Sequence, residues 1–312
     1  MNACRYIEQA DIDKKKWDSC ILQAANGLVY STSLYLDMMA DNWDAVILND
    51  YEAVLPLPWR KKWGISYVYP PAFTQQMGIT AQEAVSQQIF DQFIAAIPAK
   101  FRYLEMNLNN ANRINGDSMT ARKNYLLDLG EEYSTLQKNF SRSASRNIKQ
   151  ALNTGISVSE NVKVREVFEL HRHRFKEEIG FSINDYDKFL ALLEAFTKRG
   201  SCYCIGAENK EGQLIAGSIY IIYKSRLYFV INGNTEESLQ VGATHLLMDH
   251  TIRSFSAQNY ILDFEGSDHP SFARFYEQYG ANGENYFFYS LNRLPWPIKW
   301  LKQKKINPVS KR

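Results

Sequence analysis

Apolar positions along the chain alternate between two rhythms, short runs suited to strands and longer stretches with a spacing of three to four suited to helices. In the first half, residues 4–7, 44–48, 53–58, 65–69, 103–108 and 124–129 read as strands, with Asn49-Asp50 and Lys61-Lys62 in the intervening turns. Asp11 or Asp13 is the expected N-cap of a helix through Trp17, Ile21 and Leu22 that ends near Asn26-Gly27. Ser31 or Ser33 starts a second helix, and Thr80 a third through Val85, Ile89, Phe93 and Ile94. The paired prolines of the loop 69–78 fix an extended path that could line a cleft.

The second half repeats this order. Helices are expected over 164–178 and 186–197, strands over 156–159, 202–207, 214–223 and 227–230, and a last strand over 285–291. Between the last two strands lie a turn, a long amphipathic helix with Gly242 and Ala243 in its opening turns, a buried strand 260–264 and a short helix. Small residues at a helix start let another backbone, or a ligand, come close. One helix, 132–153, joins the halves, and its spacings of 4, 4 and 3 put Lys138, Arg142, Arg146 and Lys149 along one face. The reading is an α/β protein of the α+β type with two tandem domains, 1–135 and 136–312, each a mixed, mostly antiparallel sheet flanked by helices. The two halves share element order and no obvious residue identity.

Composition narrows this picture a little. The 312 residues are 45% hydrophobic and 22% charged with a net charge of +2, so whole-chain charge argues for neither nucleic acid nor membrane, and only local clusters can. None of the four cysteines forms a CxxC pair, and Cys202 and Cys204 would share one strand face, where a disulfide is strained. Reduced thiols, an N-terminus without an apolar signal core and the lack of any run of 18 apolar residues lead us to expect a soluble, cytoplasmic protein. The basic tail 295–312 reads as a solvated terminal helix or a frayed end rather than a membrane anchor. His171 and His173, two apart on a helix, face different ways, so no metal site is expected.

Three stretches carry a family resemblance. Leu126-Leu127-Asp128-Leu129 followed by Arg146-Asn147-Ile148-Lys149-Gln150-Ala151 and Gly155 is similar to a strand and an R-x-I-x-x-A-x-x-x-G helix ending. The segment 260–266 is the second, and Phe275-Tyr276-Glu277-Gln278-Tyr279-Gly280 resembles an L-Y-E-x-x-G-F ending. Together they resemble the FemAB-like branch of the GNAT N-acyltransferase superfamily, in which two GNAT-type domains stand in tandem. The resemblance implies acyl transfer onto an amine, from aminoacyl-tRNA in peptidoglycan branching enzymes or from acyl-CoA in most GNATs. It implies no tightly bound cofactor, a small-molecule amine acceptor such as a cell-envelope precursor, and tRNA as a possible partner. The chain departs from the CoA-binding pattern Q/R-x-x-G-x-G/A: with Gly242 on the first glycine, Leu239 stands where Gln or Arg belongs and Thr244 on the second small position. Ala281 replaces the final aromatic.

The site expectations follow. Tyr276 matches the tyrosine that protonates the leaving group in GNAT enzymes. Asp263 and Glu265, two apart at a strand end, would point toward one cleft as base or as anchor for a cationic acceptor, unless a nearby Arg or Lys pairs with them. Arg142, Arg146 and Lys149 would grip phosphate, with Gly242, Thr244 and the loop residue His269 completing donor binding; the bland alternatives are a solvated helix face and a helix cap. Two rival functions stand beside aminoacyl transfer: a conventional acyl-CoA-dependent N-acyltransferase, with phosphate held at 240–244, and a GNAT-fold binding module that has lost the chemistry.

Overall fold

The computed structural model describes residues 3–296 apart from 115, 117, 176–179 and 267, so the tail 297–312 and the end of the helix expected over 164–178 lie outside the described residues. Two units form: one holds the chain up to Ala121 and again from Tyr286, the other Arg122–Asn285. The expected boundary at 135/136 differs because the chain crosses inside one strand and returns inside another.

In the first unit β1 (Cys4–Ile7) leads to α1 (Lys14–Gln23), whose N-cap Asp13 accepts from the backbone N–H of Lys15 and Lys16. Next comes α2 (Ser33–Met39), capped by Thr32 rather than by serine. The hairpin strands β2 (Asn42–Leu48), β3 (Ala53–Lys62) and β4 (Ile65–Val68) follow. The β3–β4 turn falls at Trp63-Gly64 and not at Lys61-Lys62, because the pairing continues to Lys62 opposite Ile65. Thr80 opens no helix. It lies in β5 (Thr80–Ala81) against β3, and α3 (Gln87–Ala96) starts only where the Ser86 hydroxyl accepts the Ile89 N–H. With β6 (Phe101–Leu108) the sheet order is β1-β2-β3-β4-β6, antiparallel except for the parallel pair β4 and β6. Leu55, Leu57, Val68, Phe93, Phe101 and Leu104 are buried in its core.

The crossing strand β7 (Met119–Asp128) leads to α4 (Tyr133–Lys138) and α5 (Arg142–Asn153) in the second unit. The single helix expected over 132–153 is thus two, which separates Lys138 from the other three cations. Tertiary contacts make the break. Phe140 packs edge-on against Tyr279 at 5.1 Å, the Ser141 N–H donates to the Gln278 carbonyl at 2.8 Å, and the Ser141 hydroxyl caps α5 by accepting from Ala144 N–H. Such a cap is worth about 1 kcal/mol.

Then come β8 (Ser157–Ser159), α6 (Val164–Phe175), α7 (Ile183–Lys198), β9 (Cys202–Glu208), β10 (Leu214–Tyr223) and β11 (Arg226–Asn234). The unit closes with α8 (Glu236–Val241), α9 (Ala243–Phe255), β12 (Ile261–Asp263), α10 (Pro270–Glu277) and the start of β13 (Asn282–Asn292). Sheet order is β7-β12-β11-β10-β9-β8, again antiparallel except for one pair, β11 with β12. Each unit therefore has the same plan, and each is completed by a strand from the other half of the chain. Residues 126–128 of β7 pair with β12, and residues 287–292 of β13 pair with β6. Four cysteines are free thiols. Among the described residues no helix is long and apolar enough to cross a membrane.

Candidate functional site

In the second unit the parallel pairing of β11 with β12 covers only Arg226–Tyr228 opposite Ile261–Asp263. β11 runs on through 229–234 to the start of α8, and no strand among the described residues pairs with it there on the β12 side. Its register against β10 shifts at Ile219/Tyr220, which leaves Val230 as the extra residue of a bulge. The backbone groups along such an edge must find partners, and an extended ligand can supply them by adding a strand. Phe264, the first residue after β12, sets its ring 6.4 Å from Phe229 on this edge and 4.7 Å from Tyr276 on α10.

Tyr276 is 8% exposed and is flanked by the rings of Tyr125, Phe264 and Phe275. Burial, and then the negative charges of Glu265 and Asp263, hold its phenol well above the ordinary tyrosine value. At neutral pH the group is a proton donor, the state a general acid needs. The structure brings the three expected catalytic side chains together, in unequal circumstances. Asp263 is buried at 1% exposure, ion-paired at 2.8 Å with Arg226, and accepts the Glu265 backbone N–H at 2.9 Å. That carboxylate holds the strand end in place. Glu265 is only partly buried and sits at a φ of 62°, a left-handed conformation that turns the chain out of β12. Arg226 was not singled out by the sequence: it lies 37 residues from Asp263, and only the parallel pairing joins them.

The expected donor loop is filled by protein. Gly242 has a φ of 79° between α8 and α9, and a Cβ built there would lie 2.7 Å from the Asn147 carbonyl oxygen on α5. The close approach that small residues permit is here made by another backbone. Gln150 donates to the Gln240 carbonyl at 2.7 Å, and the buried Thr244 hydroxyl donates to Asn234 Oδ1 at 2.5 Å. Asn147 Nδ2 donates to His245 Nε2 at 3.0 Å, so the neutral imidazole carries its proton on Nδ1, 2.7 Å from Tyr279 Oη. Burial pushes His245 down to about 4, which keeps the ring neutral. No motif pointed to this relay.

The outer face of α5 presents Arg142, Arg146 and Lys149, all exposed and with no carboxylate in ion-pair reach among the described residues, while Ala144, Ile148 and Ala151 face inward. The opposite sides of one amphipathic helix thus pack against the Gly242 loop and offer three cations to solvent. His269 is the N-cap of α10, its Nδ1 facing the Ser271 backbone N–H at 3.4 Å and the Ser271 hydroxyl at 2.7 Å. It stands apart from the Tyr276 group in role, as a cap.

The first unit contains a small cleft with room for about one water. Tyr69, Pro70, Thr74, Met77 and Gly78 of the expected cleft loop line it, with Pro56 and Pro58 of β3 and Glu105, Met106 and Asn107 of β6. The loop is pinned by asparagines: Asn109 Nδ2 donates to the carbonyls of Met77 and Ile79 at 2.9 and 3.1 Å, and Asn112 Nδ2 to Ile79 at 2.9 Å. The wall's charged side chain is Glu105, which accepts from Tyr103 Oη at 2.6 Å. Glu105 alternates with Tyr103 and Asn107 along β6, the period-two pattern that marks one strand face in the sequence.

Two like units, each with one short parallel pair in its sheet, make up the fold. Residues 138–277, most of the second unit, match the family model described as acetyltransferase (GNAT) domain. Solved structures extend the likeness in fold to nearly the whole chain. FemX is similar with a TM-score of 0.67 at 13% identity, over 93% of this chain and 98% of its own. A tandem GNAT protein from the clavulanic acid biosynthesis pathway gives 0.55 at 11%, over 94% and 99%. L-PGS from Bacillus licheniformis gives 0.52 at 11%, over 96% and 97%. The chain shares the fold of these solved structures. No curated protein matches it in sequence.

Proposed function

We propose that this protein is an N-acyltransferase of the FemAB-like kind that moves an aminoacyl or acyl group onto a primary amine. The observation that carries the reading is the splayed edge 229–234 of β11 in a GNAT domain, with the protonated Tyr276 beside it across Phe264. The donor lies along that edge, its carbonyl held by backbone N–H groups. The amine nitrogen attacks the carbonyl carbon, an amide bond forms and the ester or thioester bond breaks. Tyr276 gives its proton to the departing oxygen or sulfur, and Glu265 takes one from the amine. Arg226 and Asp263 position the strand end from which Glu265 projects.

For the donor, the packing of α5 against Gly242 and the three exposed cations of α5 favour a polyanion such as aminoacyl-tRNA over a CoA pyrophosphate held at 240–244. The second reading, a conventional acyl-CoA donor, is favoured by the family match itself. Binding of acetyl-CoA, a long-chain acyl-CoA and aminoacyl-tRNA at two salt concentrations separates them. The first reading expects salt-sensitive binding of tRNA, with a shallower salt dependence in Arg142→Ala/Arg146→Ala. Saturable, salt-insensitive CoA binding instead establishes the second.

A further inference from the structure

In the first unit, the hairpin between β3 and β4 ends in a two-residue loop, Trp63-Gly64, closed by the pair Lys62 and Ile65. Both loop residues have positive φ, 51° and 79°, the signature of a type I′ turn. Glycine suits that position, and Asn or Asp is the favoured residue before it. A large aromatic there is strained and gives the turn nothing. Nor does it give the core anything, because Trp63 is 90% exposed, the most exposed large hydrophobic among the described residues. The tip is also cationic. Lys61 and Lys62 are exposed, no carboxylate among the described residues pairs with them, and the Lys62 ammonium lies 5.0 Å over the Trp63 ring. Arg60, next along the strand, is already engaged by Asp41 at 2.5 Å and by the Tyr69 ring at 4.1 Å, so the free charge is confined to the tip.

We propose that this hairpin tip docks on an anionic lipid surface, with Trp63 in the headgroup region and Lys61 and Lys62 on the acidic headgroups. An indole is at home at that boundary, apolar in body with one polar N–H, and basic residues beside it gain from the surface potential. The shape excludes the rivals. A convex two-residue loop is far smaller than a stable protein–protein interface, and it lacks the groove of cations and stacked aromatics that tracks single-stranded nucleic acid. One aromatic and two charges give reversible, peripheral contact and no insertion. The inference stands whatever the acyl donor proves to be.

The test is co-sedimentation of the full chain with phosphatidylcholine vesicles, with and without phosphatidylglycerol, at low and high salt. Trp63→Asn creates the favoured Asn-Gly turn, so the fold is kept and the melting temperature does not fall. Binding to the anionic vesicles is expected to drop roughly tenfold or more with Trp63→Asn. It should drop about fivefold for each charge removed in Lys61→Gln and Lys62→Gln, and should be lost at high salt. Absence of uptake by phosphatidylglycerol vesicles overturns the proposal, as does uptake that the three variants leave unchanged. So does binding of a single-stranded RNA oligonucleotide through these residues without vesicle uptake, which would assign the tip to nucleic acid.

Discussion

Gly242 separates two explanations of one glycine, and substituting it decides between them. At a φ of 79° an L-residue pays about 1–2 kcal/mol for the left-handed backbone. Its Cβ would also sit 2.7 Å from the Asn147 carbonyl oxygen and 3.2 Å from the Asn147 carbonyl carbon. Those are backbone atoms of α5, so relief requires the helix to move, an overpacking cost of about 1–3 kcal/mol. Gly242→Ala should therefore destabilise the second unit by about 2–5 kcal/mol. Gly242→Asn tolerates the left-handed backbone but not the contact, so it should retain most of that loss. Urea denaturation followed by near-UV circular dichroism measures both, with donor binding recorded alongside at low denaturant. If both variants stay within about 0.5 kcal/mol of the parent while donor affinity falls, the glycine serves a ligand, and the packing argument is wrong.

Two further outcomes follow from buried charge. Arg226→Met leaves the carboxylate of Asp263 buried without its cation and should cost about 3–5 kcal/mol in chemical denaturation. Adding Asp263→Asn should recover most of that loss, and a double variant no more stable than the single one would show the pair is not the source. His245 sets a pH dependence: its folded pKa of about 4 lies below the ordinary 6.5, so the unfolded chain takes up the proton first as pH falls. Stability from this group is full above about pH 6.5 and is lost down to about pH 4, by up to about 3 kcal/mol. His245→Gln should flatten that slope in melting temperature against pH, and an unchanged slope would assign it to other groups.

Much of the fold was legible because local patterns and the tertiary structure agree. Asp13 caps α1 as its side-chain chemistry predicts, and the strands at 44–48 and 214–223 follow from apolar runs between turn residues. Local reasoning failed where distant partners decide. The break at Phe140-Ser141 is made by Tyr279 and Gln278, which a helical periodicity over 132–153 cannot register. β7 and β13 look like any other strands in the sequence, and only their partners reveal that each completes the sheet of the other half. At the candidate site, the proximity of Asp263, Glu265 and Tyr276 was readable from a strand end followed by a short helix. What was hidden is how each is occupied, since Arg226 and the α5 backbone approach from far along the chain.

The measurement closest to the central claim is mass-spectrometric detection of a new amide. The chain, and Tyr276→Phe beside it, would be given charged tRNA, acyl-CoAs and a panel of primary amines. Acyl transfer through a Tyr276 general acid predicts an amide product with one donor class, formed about 100-fold more slowly by Tyr276→Phe, which retains the fold. Donor and amine both bound with no amide formed, or product formed equally by the two proteins, would contradict it.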